Sequence, residues 1–168
     1  GNEPTYEGFA KQIDLKPNFK HRGVLVDVLR EQYADLLADA PHVANNIALL
    51  AEEHTFTVTT GHQLNIFTGP LYFIFKIVCA IRLSEDLKKQ FPDKSFVPVY
   101  WMATEDHDFE EINHTYVYGK KIAWDVPGIS GTGKMDTSSM SQVVKQYISM
   151  LGLSDNSSKL TKMVEDAY

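Results

Sequence analysis

The chain has 168 residues, enough for one ordinary domain, and its 43% hydrophobic and 23% charged residues are globular proportions. A net charge of −6 gives no basic footprint for nucleic acid, and no run of about 18 apolar residues offers a membrane span. The single cysteine, Cys79, excludes an internal disulfide and fits a reducing compartment; it lies in an apolar helical run, where a buried, inert thiol is expected. Gly1 reads as the remnant of a cleaved tag and SSKLTKMVEDAY stops in mid-helix, so the chain reads as a piece of a longer protein.

Residues 1–53 form a helical lead-in. Gly1 to Phe19 is polar and punctuated by proline, which predicts an extended or loosely packed segment. Lys20 to Asp39 reads as a helix with Val24, Val28, Leu29, Leu36 and Leu37 inward. Pro41 opens a second helix at the favoured N1 position, running to about Glu53 with Ile47, Leu50 and Ala51 inward. His42 and His54 fall at helix ends, near the dipole.

Residues 54–114 have the pattern of a βαβ core within an α/β fold. Thr55 to Thr60 is β-branched or aromatic and reads as a strand, broken by Gly61. Gly61 to Gly69 is a loop. Pro70 then opens a helix, capped by Thr68 or Gly69, that is apolar on nearly every face to Ile81 and so must pack on more than one side. From Ser84 to Gln90 it turns charged, and Pro92 ends it. Phe96 to Ala103 is a continuous apolar run, the mark of a buried parallel strand, with Pro98 at its start or on an edge. Asp108 to Asn113 forms a turn of helix.

Residues 115–168 hold a hairpin, a Gly-rich segment and helices. His114–Tyr118 and Lys120–Val126 alternate across Gly119-Lys120. Pro127 to Ser138 is rich in Gly, Ser and Thr. Ser139 to Leu151 carries Val143, Val144, Tyr147, Ile148 and Leu151 on one face, and Ser154 or Asp155 caps a last helix. The pairs Lys88-Lys89 and Lys120-Lys121 read as solvated surface.

Two stretches carry chemistry. Gly61-His62-Gln63 and Thr68-Gly69-Pro70 lead into a helix start, where free N–H groups and the dipole favour an anion. Gly69 lets a ligand approach the backbone. Tyr72 and Lys76, i and i+4, share a face, and a helical side chain leans toward the N-terminus, so Lys76 points back at the loop. The second stretch, Thr104 to Glu111, puts five carboxylates and His107 within eight residues, directly after a strand. Crowding raises carboxylate pKa values and a neighbouring carboxylate raises that of a histidine, which suits proton transfer or capture of an amine. For Glu110 and Glu111 the plainer role is an acidic helix start. A metal on His107, Asp108 and His114 is the minority alternative, since no metal-ligand spacing supports it.

Gly128 to Lys134 matches G-x-x-x-x-G-K, but Met135 stands where a phosphate-binding loop needs Ser or Thr, and no helix follows at once. A mobile loop closing over a ligand fits better than a nucleotide-binding module.

Together, T-G-H-Q-x-x-x-F-T-G-P-L-Y-x-x-x-K (Thr60 to Lys76) and P-V-Y-W-M-A-T-E-D-H-D-F-E-E-I-N-H (Pro98 to His114) resemble the bacillithiol biosynthesis cysteine-adding enzymes, BshC. Gly131 to Met135 is similar to that family's glycine-rich loop, where G-R-M is common. His62 departs from the family, which commonly carries Gln there, while Gln63 matches. The resemblance implies a Rossmann-like core similar to nucleotidyltransferases and class I aminoacyl-tRNA synthetases, with an inserted domain, a coiled coil and a cytoplasmic location. It implies a ligase joining L-cysteine to the amine of glucosaminyl-malate. The catalytic candidates are Glu105, Asp106 and His107. The substrate-binding candidates are Gly61, His62, Gln63, Thr68, Gly69, Tyr72, Lys76, Trp101, Asp108 and His114. Forming an amide from a free carboxylate is uphill in water, which calls for activation as an adenylate or acyl phosphate, with ATP and Mg²⁺ as candidate co-reactants; no motif here supplies a nucleotide site of its own. The rival readings are a metal-dependent hydrolase, a nucleotide-binding module, and a non-catalytic piece that binds partners or forms a homodimer through an exposed sheet edge.

Overall fold

The computed structural model describes residues 1–16, 19–126 and 131–168. Its helices are α1 (Tyr6–Leu15), α2 (Arg22–Gln32), α3 (Pro41–Leu49), α4 (Leu71–Gln90), α5 (Phe109–Ile112), α6 (Ser141–Ser149) and α7 (Asp155–Ala167). Its strands are β1 (Thr55–His62), β2 (Ser95–Met102), β3 (His114–Val117) and β4 (Lys120–Ala123). β1 and β2 pair in parallel across the α4 connection, and β3 pairs antiparallel with β4, so the fold is α/β as expected. The chain divides into two compact units: residues 1–60 with 77–100, and residues 61–76 with 101–168.

In the first unit the N-terminal segment is helical, not extended. Thr5 caps α1 by accepting the Gly8 N–H, and Pro4 precedes the cap, where it interrupts nothing. The lead-in helix stops at Gln32, and turns carry the chain to Asp39. Val26 with Ile47, Leu50 and Val97 makes the core, and Leu29, Tyr33 and Leu37 pack against it. The inward face is thus 26-29-33-37, itself a helical spacing. Val24, Val28 and Leu36, expected inward, are exposed, as is Ala51 beyond the end of α3. Pro41 does stand at the start of α3. Arg22 donates to the carbonyls of Leu50 and Thr55, both at 3.0 Å, tying α2 to the entry of β1.

Along α4 the buried residues are Ala80, Ser84 and Leu87. Leu71, Ile74, Phe75, Val78 and Ile81 are exposed, and so is the Cys79 thiol. The expectation of packing on several sides and of a buried thiol therefore fails among the described residues. An apolar helix surface specifies a need for burial but does not itself supply a partner. β2 likewise buries only Val97, while Trp101 and Met102 are exposed. Pro98 sits mid-strand, which a two-stranded sheet tolerates because each strand has an outer edge.

In the second unit the hairpin turns at Tyr118-Gly119, with φ of 49° and 76°, one residue earlier than expected; two successive left-handed residues match the twist of the strands. The core gathers Ile66, Phe67, Phe109, Ile112, Ile122, Trp124, Met140 and Val164. Val143, Val144, Tyr147 and Ile148 of α6 pack on it, on the face the periodicity indicated. Buried Trp124 satisfies its indole N–H on Ser139 Oγ at 2.9 Å. Ser154 caps α7.

Candidate functional site

The second unit gathers the candidate residues around two loops, one after β1 and one after β2, with others on the ends of β1 and β2, the first turns of α4 and the start of β3. Gly61 does not break β1, which runs on to His62; the Ala103 N–H still donates to the His62 carbonyl at 3.1 Å. A Cβ at Gly61 would lie 3.0 Å from the Trp101 carbonyl oxygen and 3.1 Å from its Cβ, so glycine lets the strands stay close. Trp101 itself is 62% exposed.

After β1 the backbone takes three left-handed residues in a row: Phe67 (φ 48°), Thr68 (φ 67°) and Gly69 (φ 58°, ψ −150°). Gly69 occupies a region essentially closed to other residues. Its missing side chain makes room for Asn65, whose Cβ would stand 2.6 Å from a Cβ at 69; the close approach expected of a ligand is here made by a neighbouring side chain. Phe67 is 6% exposed, stacks on Tyr147 at 4.2 Å and 12°, and gives its N–H to the Tyr168 hydroxyl at 2.9 Å. Burial pushes the Tyr147 phenol up, with Tyr168 adding to the effect. α4 then starts at Leu71, one residue after Pro70.

At the mouth of this loop four side chains converge. The Asn65 amide donates to His62 Nδ1 at 2.9 Å. A neutral imidazole then carries its proton on Nε2 and donates it to the Tyr72 hydroxyl at 2.5 Å. Lys76 does point back, donating to the Gly61 carbonyl at 2.5 Å, with its ammonium 6.0 Å from the centre of the Tyr72 ring.

The acidic loop follows β2. Asp106 Oδ1 accepts the Asp108 N–H at 2.9 Å. That bond chiefly holds the Asp106 carboxyl below the ordinary aspartate value; burial opposes it, and the His107 N–H, the nearby His107 ring and the Gln63 side chain reinforce it. Crowding was expected to raise the carboxyl values, and at Asp106 the reverse holds because the N–H donors outweigh the effect of burial. Glu105, His107 and Asp108 are exposed. His114 is half-buried, its Nδ1 3.1 Å from Asn113 Oδ1 and its ring against Tyr116. His107, Asp108 and His114 do not form a metal cage; among the described residues no three His, Cys, Asp or Glu are so grouped.

Gln63 joins the two loops. Its amide donates to Glu111 Oε2 at 2.7 Å and its side chain also bonds Asp106. Glu111 was read as a plain helix-start charge, and nothing local in the sequence marks a partner 48 residues away.

Of the Gly-rich segment, only the part from Gly131 onward is described. Gly128 to Ser130 lie outside the described residues, but the Thr132 and Gly133 N–H groups are spent on the Asp106 and Thr104 carbonyls at 2.8 and 2.9 Å. The segment from Gly131 to Gly133 is therefore hydrogen-bonded to the acidic loop. A cleft of about 980 Å³ lies elsewhere, in the first unit, lined by Phe9, Phe19, Arg22, Leu50, Thr57 and Phe96, and holds none of the candidate residues.

A parallel βαβ unit with polar loops after both strands is the building unit of Rossmann-like folds. The family described as "Bacillithiol biosynthesis BshC, N-terminal Rossmann-like domain" matches residues 1–168, and the chain belongs to it. A relative from Flavobacterium psychrophilum, named "Putative cysteine ligase BshC", is 47% identical over 98% of this chain and 32% of its own length. One of the same name from Flavobacterium johnsoniae is also 47% identical over the same shares. Another from Christiangramia forsetii is 42% identical over 98% of this chain. The chain thus spans about a third of the length of these relatives. No helix among the described residues is long and apolar enough to cross a membrane.

Proposed function

We propose that the complete protein is a cysteine ligase of bacillithiol biosynthesis, joining L-cysteine to the amine of glucosaminyl-malate, and that these residues supply part of its substrate site. What supports this reading is the bridge made by Gln63. It links a loop carrying a lysine and a helix start, suited to carboxylates, with an acidic loop, suited to an amine.

In this reading the malate carboxylates sit at Thr68, Gly69 and the first turn of α4, with Lys76 and Tyr72 beside them and His62 orienting Tyr72. Gly61, Trp101, Asp108 and His114 border the sugar. Asp106, held ionised, orients the ammonium of the glucosamine. Glu105 or His107 takes its proton, freeing the lone pair for attack on the cysteine carboxyl carbon. That carboxyl loses one oxygen as the amide forms, so it needs prior activation, for which ATP with Mg²⁺ is the natural co-reactant. A cytoplasmic location follows from such chemistry. In the same reading residues 1–53 lead into the core at 54–114, and 115–168 lead toward an inserted domain. The nucleotidyltransferase-like remainder and a dimerising coiled coil lie outside these residues.

The test uses the complete protein with glucosaminyl-malate and L-cysteine, with and without ATP and Mg²⁺, and weighs the product. A mass equal to the sum of the two substrates minus water is expected, and the ATP arm decides the route of activation. No product in any arm overturns the ligase reading.

A further inference from the structure

The segment Gly131–Gly133 meets the acidic loop backbone to backbone. Thr132 and Gly133 donate their N–H groups to the carbonyls of Asp106 and Thr104, which stand on either side of Glu105. A Cβ at Gly133 would lie 2.5 Å from Thr104 Cβ and 2.9 Å from its Cγ2; one at Gly131 would lie 3.2 Å from the Thr104 carbonyl oxygen. Gly131 has an ordinary backbone, φ −52° and ψ 130°, so its glycine answers a need for space and not for a left-handed turn. Thr132 is 7% exposed, which anchors the strap from its far side.

We propose that Thr132 and Gly133 are positioning residues for the reaction, clamping the two carbonyls that flank Glu105 and so fixing the direction in which the Glu105 and Asp106 carboxylates face the substrate. The role rests on the ligase reading for its chemistry but not for its geometry. Two hydrogen bonds spaced two residues apart restrain both the position and the rotation of the intervening residue, which one bond does not. Neither Thr132 nor Gly133 need touch substrate.

The experiment is a two-by-two comparison in the complete protein: wild type, Gly133→Ala, Thr104→Gly and the double variant. Amide hydrogen exchange over 131–135 and steady-state kinetics are measured for each. Gly133→Ala is expected to speed exchange in the segment and lower kcat by about 10²-fold, the scale of a misplacement near 1 Å, with KM nearly unchanged. Removing the Thr104 side chain removes the two contacts under 3 Å and leaves only its Cα at 3.2 Å, so the same Gly133→Ala change in the Thr104→Gly background is expected to cost only a few-fold, roughly the ordinary effect of a tolerated change. Equal kcat costs in both backgrounds, or wild-type kcat in Gly133→Ala, overturn the positioning role. If wild type forms no product, the ligase reading falls by itself and exchange alone decides the clamp. Faster exchange in Gly133→Ala that Thr104→Gly reverses supports it, and unchanged exchange overturns it.

Discussion

Tyr168 and Phe67 are 101 residues apart in the chain, yet the Tyr168 hydroxyl accepts the Phe67 N–H at 2.9 Å. Phe67 holds a left-handed backbone, which costs an ordinary L-residue roughly 1 kcal/mol or more. The cost is met by burial of the ring against Tyr147 and by this bond, so the turn before α4 is set by the two C-terminal helices. Tyr168→Phe removes the acceptor and leaves a buried N–H unpaired, at about 1–3 kcal/mol. Urea unfolding of the variant should show that loss, with faster exchange at Phe67. Unchanged stability and exchange would mean that Tyr147 stacking alone fixes the turn.

Gly69 allows a sharper test of the same turn. Its φ of 58° with ψ −150° is closed to alanine, and the added Cβ would strike Asn65. Gly69→Ala should destabilise by about 1–3 kcal/mol from backbone strain alone. Gly119→Ala, also at positive φ but with nothing within 4 Å of the added Cβ, gives the cost of a positive φ without a clash. A larger loss at Gly69 than at Gly119, read from thermal unfolding, is the expected outcome.

Local signals carried the element order well. β-branched and apolar runs marked β1 and β2, alternation around Tyr118-Gly119 marked the hairpin, and Ser154 announced α7. The spacing of Tyr72 and Lys76 also foretold that the lysine would reach back to the loop. What stayed hidden depends on partners far along the chain. Neither the Gln63–Glu111 bond nor the Tyr168–Phe67 bond leaves a periodic trace, and the strap at Gly133 looked like a mobile loop because glycine serves both freedom and close approach. α1 was missed because proline and charge suggested a loose segment, while the Thr5 cap three residues before Gly8 went unread. Of the inward set read for the lead-in helix, Leu29 and Leu37 do pack on the core, but Val26 is buried in place of Val24 and Val28, since the three are equally apolar and only packing separates them.

The two side-chain contacts of His62 are ones that a glutamine could also make. The side chain must accept from Asn65 and donate to the Tyr72 hydroxyl, and a glutamine amide offers one acceptor and donors. His62→Gln in the complete protein should therefore keep kcat/KM within roughly the few-fold cost of a conservative change, whereas His62→Ala frees Tyr72 and loses about tenfold or more, the equivalent of one hydrogen bond. Equal losses in both variants would show that the imidazole itself is required.

Asp106 makes a pH prediction with a definite sign. Its carboxylate is stabilised by the Asp108 N–H first, so the native state holds it below the ordinary aspartate value. A depressed native pKa means that the ionised form adds stability above the unfolded value, near 3.9, and that this contribution fades as pH falls through the native one. The stability advantage of wild type over Asp106→Asn should be constant at neutral pH and shrink only below about pH 4. The same ordering bears on chemistry: a carboxylate that is hard to protonate is a weak proton acceptor but a dependable negative charge, which favours Asp106 as the group that orients an ammonium and leaves proton removal to Glu105 or His107. A carbon-detected titration of the Asp106 carboxyl with a midpoint under 3.8 is the expected result. A midpoint above it would return Asp106 to the role of proton acceptor.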